Sequence, residues 1–230
     1  MKSHGNTIRV WDLPTRIFHW ALVVCVIGSY VTIKLGGLWM DWHARFGMTI
    51  LGLIIFRLIW GVVGPHYARF SQFVRGPKKL MGYLQGHFTS VAGHNPLGAL
   101  SVMALLLFIG FQAVSGLFAN DDIFTTGPLA YLNSQWSSRL TTLHKLNEWV
   151  LLGVIGLHIV AVLWYQFVKR KPIIPPMVHG DTFVVTSSEA VSTQDSWKVR
   201  LAALLLAIVI AGFLWWIWNL APTGDFSSFM

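Results

Sequence analysis

Long apolar stretches alternate with short polar ones along the chain, and five of them are long enough to cross a membrane. A spanning helix needs roughly 20 mainly apolar residues, because about 30 Å of hydrocarbon is crossed at about 1.5 Å per residue. The pattern predicts spanning helices over residues 17–33, 42–63, 97–119, 143–167 and 201–220. We therefore expect an all-α integral membrane protein with a four-helix bundle and, after a longer connection, a fifth C-terminal transmembrane helix.

The composition excludes most soluble classes of protein. Of the 230 residues, 54% are hydrophobic and 11% are charged, whereas roughly 25% are charged in an ordinary soluble domain. The net charge of +8 would suit a nucleic-acid binder only if the cations formed one basic face, and here long stretches carry no charge. Cys25 is the single cysteine, so the chain can close no internal disulfide and cannot hold an iron–sulfur cluster alone.

The distribution of cations predicts the orientation, because cytoplasmic segments of membrane proteins carry an excess of Lys and Arg. If the five helices alternate in direction, thirteen of the 17 basic residues fall on the side of the N-terminus. The predicted organisation is therefore a cytoplasmic N-terminal tail (1–16), a membrane core (17–168), a cytoplasmic loop with a short strand at 182–186 (169–200), the fifth helix (201–220) and a periplasmic tail (221–230).

Histidine carries the candidate chemistry, because ionisable or metal-binding side chains within membrane spans are rare and usually functional. Four of the nine histidines lie in or at the ends of predicted spans: His19, His43, His144 and His158. His144 and His158 are 14 residues apart on one helix. This separation corresponds to a rise of ~21 Å along the helix axis and to a rotation about 40° short of four full turns. They share a helix face, so depth pairs His43 with His144 outside and His19 with His158 inside.

Two facing imidazoles would fill both axial positions of a haem iron, an arrangement that suits electron transfer more than oxygen chemistry. Small residues on the second, third and fourth predicted helices allow either close helix packing or room for a flat ligand; they are Gly47, Gly52, Gly110, Gly116, Gly153 and Gly156. The other histidines fall in tails or loops, where we expect them to be solvated or locally hydrogen-bonded: His4, His66, His87, His94 and His179.

Four sequence motifs contain these histidines or lie between them. They are DLPTRIFHW at 12–20, WHARFGMTILG at 42–52, RLIWGVVGPHYARFSQFV at 57–74 and LHKLNEWVLLGVIGLHIVAV at 143–162. In this order, over about residues 8 to 180, the chain resembles the bacterial cytochrome b561 family, which includes the b-type cytochrome subunits of membrane-bound nickel–iron hydrogenases. The fifth helix and the loop before it extend beyond the resemblance.

The resemblance implies a four-helix cytochrome b core with two non-covalent haems b. By motif position, the family's ligands fall on His19 and His158 for the inner haem and on His43 and His144 for the outer one. It further implies electron transfer in the bacterial inner membrane, as a subunit of a quinone-linked oxidoreductase, between the quinone pool and a redox partner such as a periplasmic cytochrome c or a hydrogenase. Arg16 and Arg57 would then either meet haem propionates or extend to the lipid headgroups.

Other interpretations use the same features. A metal or proton transporter could use the histidines as its path, but it would need carboxylates within the spans, where Glu148 stands near one end. A passive anchor for a soluble enzyme would need no histidine pairs. The outer loop at 120–142, with Asp121, Asp122 and Trp136, is either a docking surface for a basic periplasmic cytochrome c or a solvated connection.

Overall fold

A computed structural model of the chain describes residues 5–74, 76–86, 93–120, 126–185 and 191–220. In chain order its elements are β1 (Gly5–Arg9), α1 (Leu13–Leu35), α2 (Met40–Val63), α3 (Phe70–Phe73), α4 (Pro77–Leu84), α5 (Pro96–Gly116), α6 (Ser134–Leu163), α7 (Ile174–His179), β2 (Asp181–Val185) and α8 (Trp197–Trp218). A π-helical turn, Trp164–Val168, extends α6. Five of these helices are long and apolar enough to span a membrane, namely α1, α2, α5, α6 and α8. The predicted all-α membrane class is confirmed.

The spanning helices begin earlier than predicted, most of all α6. Helix α6 begins at Ser134 rather than at residue 143, because the Asn133 side chain accepts a hydrogen bond from the Trp136 backbone N–H at 2.9 Å and caps the helix there. His144 therefore lies well inside the helix. The predicted loop at 169–200 contains α7 and β2, and β2 occupies the position of the predicted strand; Thr186, its predicted last residue, lies outside the described part of the chain.

The start of α1 is fixed by Asp12. Its carboxylate is fully buried and accepts hydrogen bonds from the Thr15 backbone N–H at 3.0 Å and the Thr15 hydroxyl at 2.8 Å. The same carboxylate accepts a bond from Trp60 Nε1 of α2 at 3.1 Å. One N-capping side chain therefore sets both the first turn of α1 and its contact with α2, and this places His19 one turn further into the bundle.

Packing of the spanning helices follows a chain of neighbours. Helix α1 packs on α2, α2 on α5, and α5 on α6, while α8 packs on α2 and, less extensively, on α1. Their buried core includes Ile50, Ile54, Leu106 and Ile109. Helix α2 is the most buried of the five and α6 the least. Within the described residues α6 packs extensively on no spanning helix except α5, so its backbone stands apart from those of α1 and α2. We call the region between these backbones the space beside α6.

A small polar assembly closes one end of the bundle. Strands β1 and β2 pair antiparallel, with Arg9 opposite Asp181. Asp195, before α8, has a side chain that is 4% exposed and forms ion pairs with Arg9 at 2.8 Å and Arg200 at 3.1 Å. It also accepts a hydrogen bond from the Leu13 backbone N–H at 3.2 Å. Asp195 thereby connects the entry to α1 with the start of α8.

We expect Asp195→Asn to destabilise this end by about 1–3 kcal/mol, because it removes the charge that Arg9 and Arg200 share. Burial works to raise the pKa of Asp195, but the hydrogen bonds from Arg200 and Arg9 outweigh it, so the net pKa is lowered. Because the pKa of Asp195 is lower in the folded protein than in the unfolded chain, the ionised carboxylate stabilises the fold at pH values above about 3.9, the unfolded pKa. This stabilisation is lost as the pH falls through the pKa of the folded protein. The melting temperature in detergent should fall as the pH is lowered, and it should fall less in Asp195→Asn than in the wild type. An equal fall in both proteins would contradict this role of Asp195.

Candidate functional site

His43 of α2 and His144 of α6 face each other across the space beside α6. Their ring centroids are 6.3 Å apart and the ring planes are at 88°. Metal–imidazole bonds of about 2 Å, with about 1 Å more from each nitrogen to its ring centre, place two rings on one metal roughly 6 Å apart. The spacing of this pair therefore fits two imidazoles on opposite sides of a single iron.

Hydrogen bonds orient both rings of this pair. The Nδ1–H of His43 donates to the Ser29 carbonyl oxygen at 2.9 Å. The Nδ1–H of His144 donates to Ser115 Oγ at 3.1 Å, while that hydroxyl donates to the Phe111 carbonyl oxygen at 2.7 Å. A proton on Nδ1 leaves Nε2 as a lone-pair donor, which is the form that ligates a metal.

Two amide side chains complete the surroundings of His144, and sequence reasoning missed both. Gln112 donates from Nε2 to His144 Nε2 at 3.2 Å, and Asn147 donates to Gln112 Oε1 at 2.7 Å and to the Phe108 carbonyl oxygen at 3.0 Å. The signal available in the sequence was a polar amide in each of two apolar spans. Because Gln112 contacts the nitrogen that would ligate a metal, it is positioned at the ligand-binding side of the ring.

His19 of α1 and His158 of α6 form the second pair, at the other end of the bundle. They lie close enough for their charges to interact. His158 Nδ1 is 3.2 Å from Ser101 Oγ of α5, whereas the buried Nδ1 of His19 has no hydrogen-bond partner among the described residues. Below, the two ends of the bundle are called the His43 end, with His43 and His144, and the His19 end, with His19 and His158.

The donor set is suited to haem rather than to a bare metal ion. No group of three or more His, Cys, Asp or Glu side chains that could hold an ion occurs in the described residues. Two axial nitrogens are sufficient for haem iron, because the porphyrin supplies the remaining ligands. The structure thus brings His43 and His144 to a spacing that fits two ligands of one iron and places His19 and His158 within the range of charge interaction.

His94 differs from the prediction that it is solvated or locally hydrogen-bonded. Its ring packs against Trp11 at 4.7 Å and Phe73 at 4.5 Å between centroids, and its buried Nδ1 has no partner in the part of the chain that the structure describes. Burial, with a further contribution from the charge of Arg57, lowers the pKa of His94 to about 3, so it is neutral at physiological pH. His94 stands two residues before α5 and lies close enough to His19 and His158 for their charges to interact. The sequence spacing carried no signal of this contact.

The two other loop histidines within the described residues, His66 and His179, make local contacts. His179 Nδ1 accepts a local hydrogen bond from the Asp181 backbone N–H at 3.3 Å, and the ring of His66 contacts that of Tyr67 at 4.9 Å. His4 and His87 lie outside the described residues.

Arg57 and Arg16 both lie at the His19 end, and neither extends to the lipid. Arg57 is 3% exposed, donates from Nη1 to the Ala68 carbonyl oxygen at 2.9 Å and lies over the Phe70 ring at 4.7 Å. Arg16 donates to the Val178 carbonyl oxygen at 2.7 Å and its Nη2 lies 3.8 Å from Asp195, while its buried Nε has no hydrogen-bond partner within the described ranges. The position of Arg57 inside the protein excludes extension to the headgroups for that residue.

The six glycines named from the sequence fall into two groups: some lie at close contacts, and the others have open space where a side chain would be. Gly52 and Gly110 pack against α8 and α2, since an added Cβ would lie 2.6 Å from Leu214 and 3.5 Å from Ile54 respectively. Gly116 lies against the His144 ring, since an added Cβ at Gly116 would be 3.1 Å from His144 Cε1. A Cβ at Gly47, Gly153 or Gly156 would meet nothing within 4 Å. Of these three, Gly47 follows His43 by one turn and shares its helix face.

A bundle of membrane-spanning helices with inward-facing, oriented histidine pairs is typical of membrane-embedded b-type cytochromes. The sequence profile of prokaryotic cytochrome b561 matches residues 10–180, and the chain belongs to this family. The prediction of the family, made over about residues 8 to 180, is confirmed. Helix α8 lies beyond the matched residues.

Similar proteins carry related names. A probable Ni/Fe-hydrogenase B-type cytochrome subunit of Bradyrhizobium diazoefficiens is 24% identical over 211 residues, covering 76% of this chain and 85% of the relative. Its counterpart in Rhizobium leguminosarum bv. viciae is 23% identical over 232 residues, covering 78% and 92%. A probable Ni/Fe-hydrogenase 1 B-type cytochrome subunit of Escherichia coli K12 is 22% identical over 210 residues, covering 74% and 88%. The protein is therefore a multi-pass membrane b-type cytochrome, and its function is electron transfer.

Proposed function

We propose that this protein binds two haems b and carries electrons across the membrane between the quinone pool and a redox partner. The observation that carries the proposal is the presence of two histidine pairs at opposite ends of one bundle. Haem b, when bound, supplies one-electron oxidation and reduction. In this proposal His43 and His144 ligate one haem, and His19 and His158 ligate the other.

The protein's own residues hold the ligands ready. The Ser29 carbonyl and the Ser115 hydroxyl fix the tautomer and plane of the rings at the His43 end, and Ser101 contacts His158 at the His19 end. Partners of the distal ring nitrogen raise ligand basicity and restrict rotation. The buried Nδ1 of His19 lacks such a partner, so we expect the two pairs to impose different reduction potentials.

Arg57 and Arg16 are the proposed partners of haem propionates at the His19 end. Arg57 is buried and, in the described part of the chain, forms no ion pair within 4 Å. A buried cation without a paired anion is costly, and a carboxylate from the cofactor would neutralise it. Arg16 offers its unpartnered Nε.

The proposed orientation places the His19 end at the cytoplasm and the His43 end at the periplasm of the bacterial inner membrane. Thirteen of the 17 basic residues support it by the excess of cations in cytoplasmic segments. The partner would then meet the His43 end. The names of the relatives favour a hydrogenase, and a periplasmic cytochrome c is the other candidate. Of the predicted docking loop, Asp121 and Asp122 lie outside the described residues, and Trp136 is exposed on the first turn of α6.

The transporter interpretation receives less support. The carboxylate within a span that it could use, Glu148 of α6, is held by Lys34 of α1 at 2.6 Å. A carboxylate fixed in an ion pair is a poor site for repeated proton or metal exchange.

Proteoliposomes test the proposed function. Ferricyanide is trapped inside vesicles that contain the purified protein, and dithionite is added outside. We expect the wild type to consume the trapped ferricyanide at least tenfold faster than the His158→Leu variant, since one broken pair interrupts the path. Rates equal to those of protein-free vesicles would contradict transmembrane electron transfer. Reduction of the b-type absorption bands by an added quinol would support the quinone pool as the donor, and its absence would remove the quinone from the proposal.

A further inference from the structure

An apolar groove runs along the side of the bundle opposite the space beside α6. It lies between α1, α2 and α8, has a volume of about 630 Å³ and is lined mainly by hydrophobic side chains, among them Phe18, Met48, Leu53, Phe56, Ala207 and Ala211. Ala207 and Ala211 are exposed and one turn apart on α8, so the groove opens to the membrane along that helix.

The floor of the groove is made by the close approach of α2 and α8. Gly52 provides it, because a Cβ at this position would lie 2.6 Å from Leu214 and 3.5 Å from Ile210. The histidine pair at the His43 end lies elsewhere: Arg45, which lines the groove, is two residues beyond His43 and hence about 200° around α2. The groove is therefore separate from the candidate haem site.

The two ends of the groove differ in charge. Arg200 stands at the His19 end, where Asp195 accepts hydrogen bonds from its guanidinium at 3.1 and 3.2 Å and neutralises it. Arg45 stands at the His43 end, beside Trp215 and Trp218 of α8. Its guanidinium lies over the Trp42 ring at 5.5 Å and has no carboxylate partner in the described ranges.

We propose that this groove is a binding site for one anionic phospholipid, with the phosphate at Arg45 and an acyl chain lying against α8. The charge complementarity decides the occupant: an unpaired cation among tryptophans at a membrane interface attracts a headgroup of net negative charge. The depth agrees. From Arg45 to Phe56, α2 rises ~16 Å, which is close to the roughly 15 Å of hydrocarbon in one leaflet.

The site also gives α8 a function. This helix lies beyond the residues that match the family, and its contacts with α1 and α2 leave the groove between them. A bound acyl chain would fill that groove and join the three helices.

Native mass spectrometry of the purified full-length protein tests the site, with phosphatidylglycerol and phosphatidylcholine as probes. We expect one phosphatidylglycerol to bind in preference to phosphatidylcholine. Ala207→Phe, which fills the groove, should abolish this binding, and Arg45→Gln should weaken it about fivefold and remove the headgroup preference. Val209→Phe, on an exposed position of α8 outside the groove, is the matched control and should bind as the wild type does.

Three results would overturn the proposal. They are equal binding of the two lipids by the wild type, retention of phosphatidylglycerol by Ala207→Phe, and co-purification of an isoprenoid quinone that Ala207→Phe displaces in place of lipid. The melting temperature of each variant in detergent identifies failure to fold. Should Ala207→Phe fail to fold, Ala211→Phe fills the same groove one turn away and is tested in the same way.

Discussion

Replacement of His158 by leucine is expected to leave one haem b per chain, held by His43 and His144. Leucine keeps the apolar volume of α6 but supplies no axial nitrogen, so His19 alone would have to hold the other haem. Pyridine haemochrome spectra should show haem per chain falling from two to one, and a redox titration should lose one of two components. The variant His144→Leu should lose the other component.

The control for this pair of variants is His179→Gln. His179 lies in α7 and makes a local hydrogen bond to the Asp181 backbone, so we expect two haems per chain in that variant. If His158→Leu and His144→Leu each lose both haems while circular dichroism shows a folded protein, the assignment of separate pairs is wrong.

Filling the space at Gly47 should have the second largest effect. Gly47 lies one turn from His43 on the same face of α2, and a Cβ there would meet nothing within 4 Å. If this open space accommodates the porphyrin, Gly47→Leu should occupy it and reduce haem at the His43 end at least tenfold. The haem at the His19 end should remain, which the redox titration would show as a single surviving component.

Gly153→Leu is the matched control for Gly47→Leu. A Cβ at Gly153 also meets nothing within 4 Å, but this glycine is nine residues from His144 and thus about 180° around α6 from it. Its side chain would point away from the ligand, so two haems should be retained. Equal haem loss in both variants would mean that the open space at Gly47 is not the cofactor's position.

The spans could be predicted because they follow from helix geometry alone, and the same geometry carries the prediction of the histidine pairs. Apolar length gives the five helices, and the spacing of His144 and His158 gives two depths on one face. The start of α6 could not be placed in this way. Its first turns are polar, and the helix begins where the Asn133 side chain provides a cap, a local signal that the search for charge-free stretches did not use.

The unpredicted parts of the site depend on contacts between segments distant in sequence. His94 is buried because its ring packs against Trp11 and Phe73, and no periodicity in the sequence reports this. Gln112 and Asn147 could have been noticed as amides in apolar spans, but their role depends on their meeting at His144. A single sequence reveals regular spacing along one helix and leaves cross-helix hydrogen bonds undetermined.

Helix α6 is the least buried of the spanning helices and packs extensively only on α5. Its alignment with α1 and α2 therefore relies on bridges: the Lys34–Glu148 ion pair and, under the proposed function, the shared irons. The cofactor then acts as a structural cross-link as well as a redox group. In cells starved of iron or porphyrin precursors, newly inserted chains would lack this cross-link and be open to membrane proteases, so the abundance of this cytochrome should follow the cell's capacity for haem synthesis.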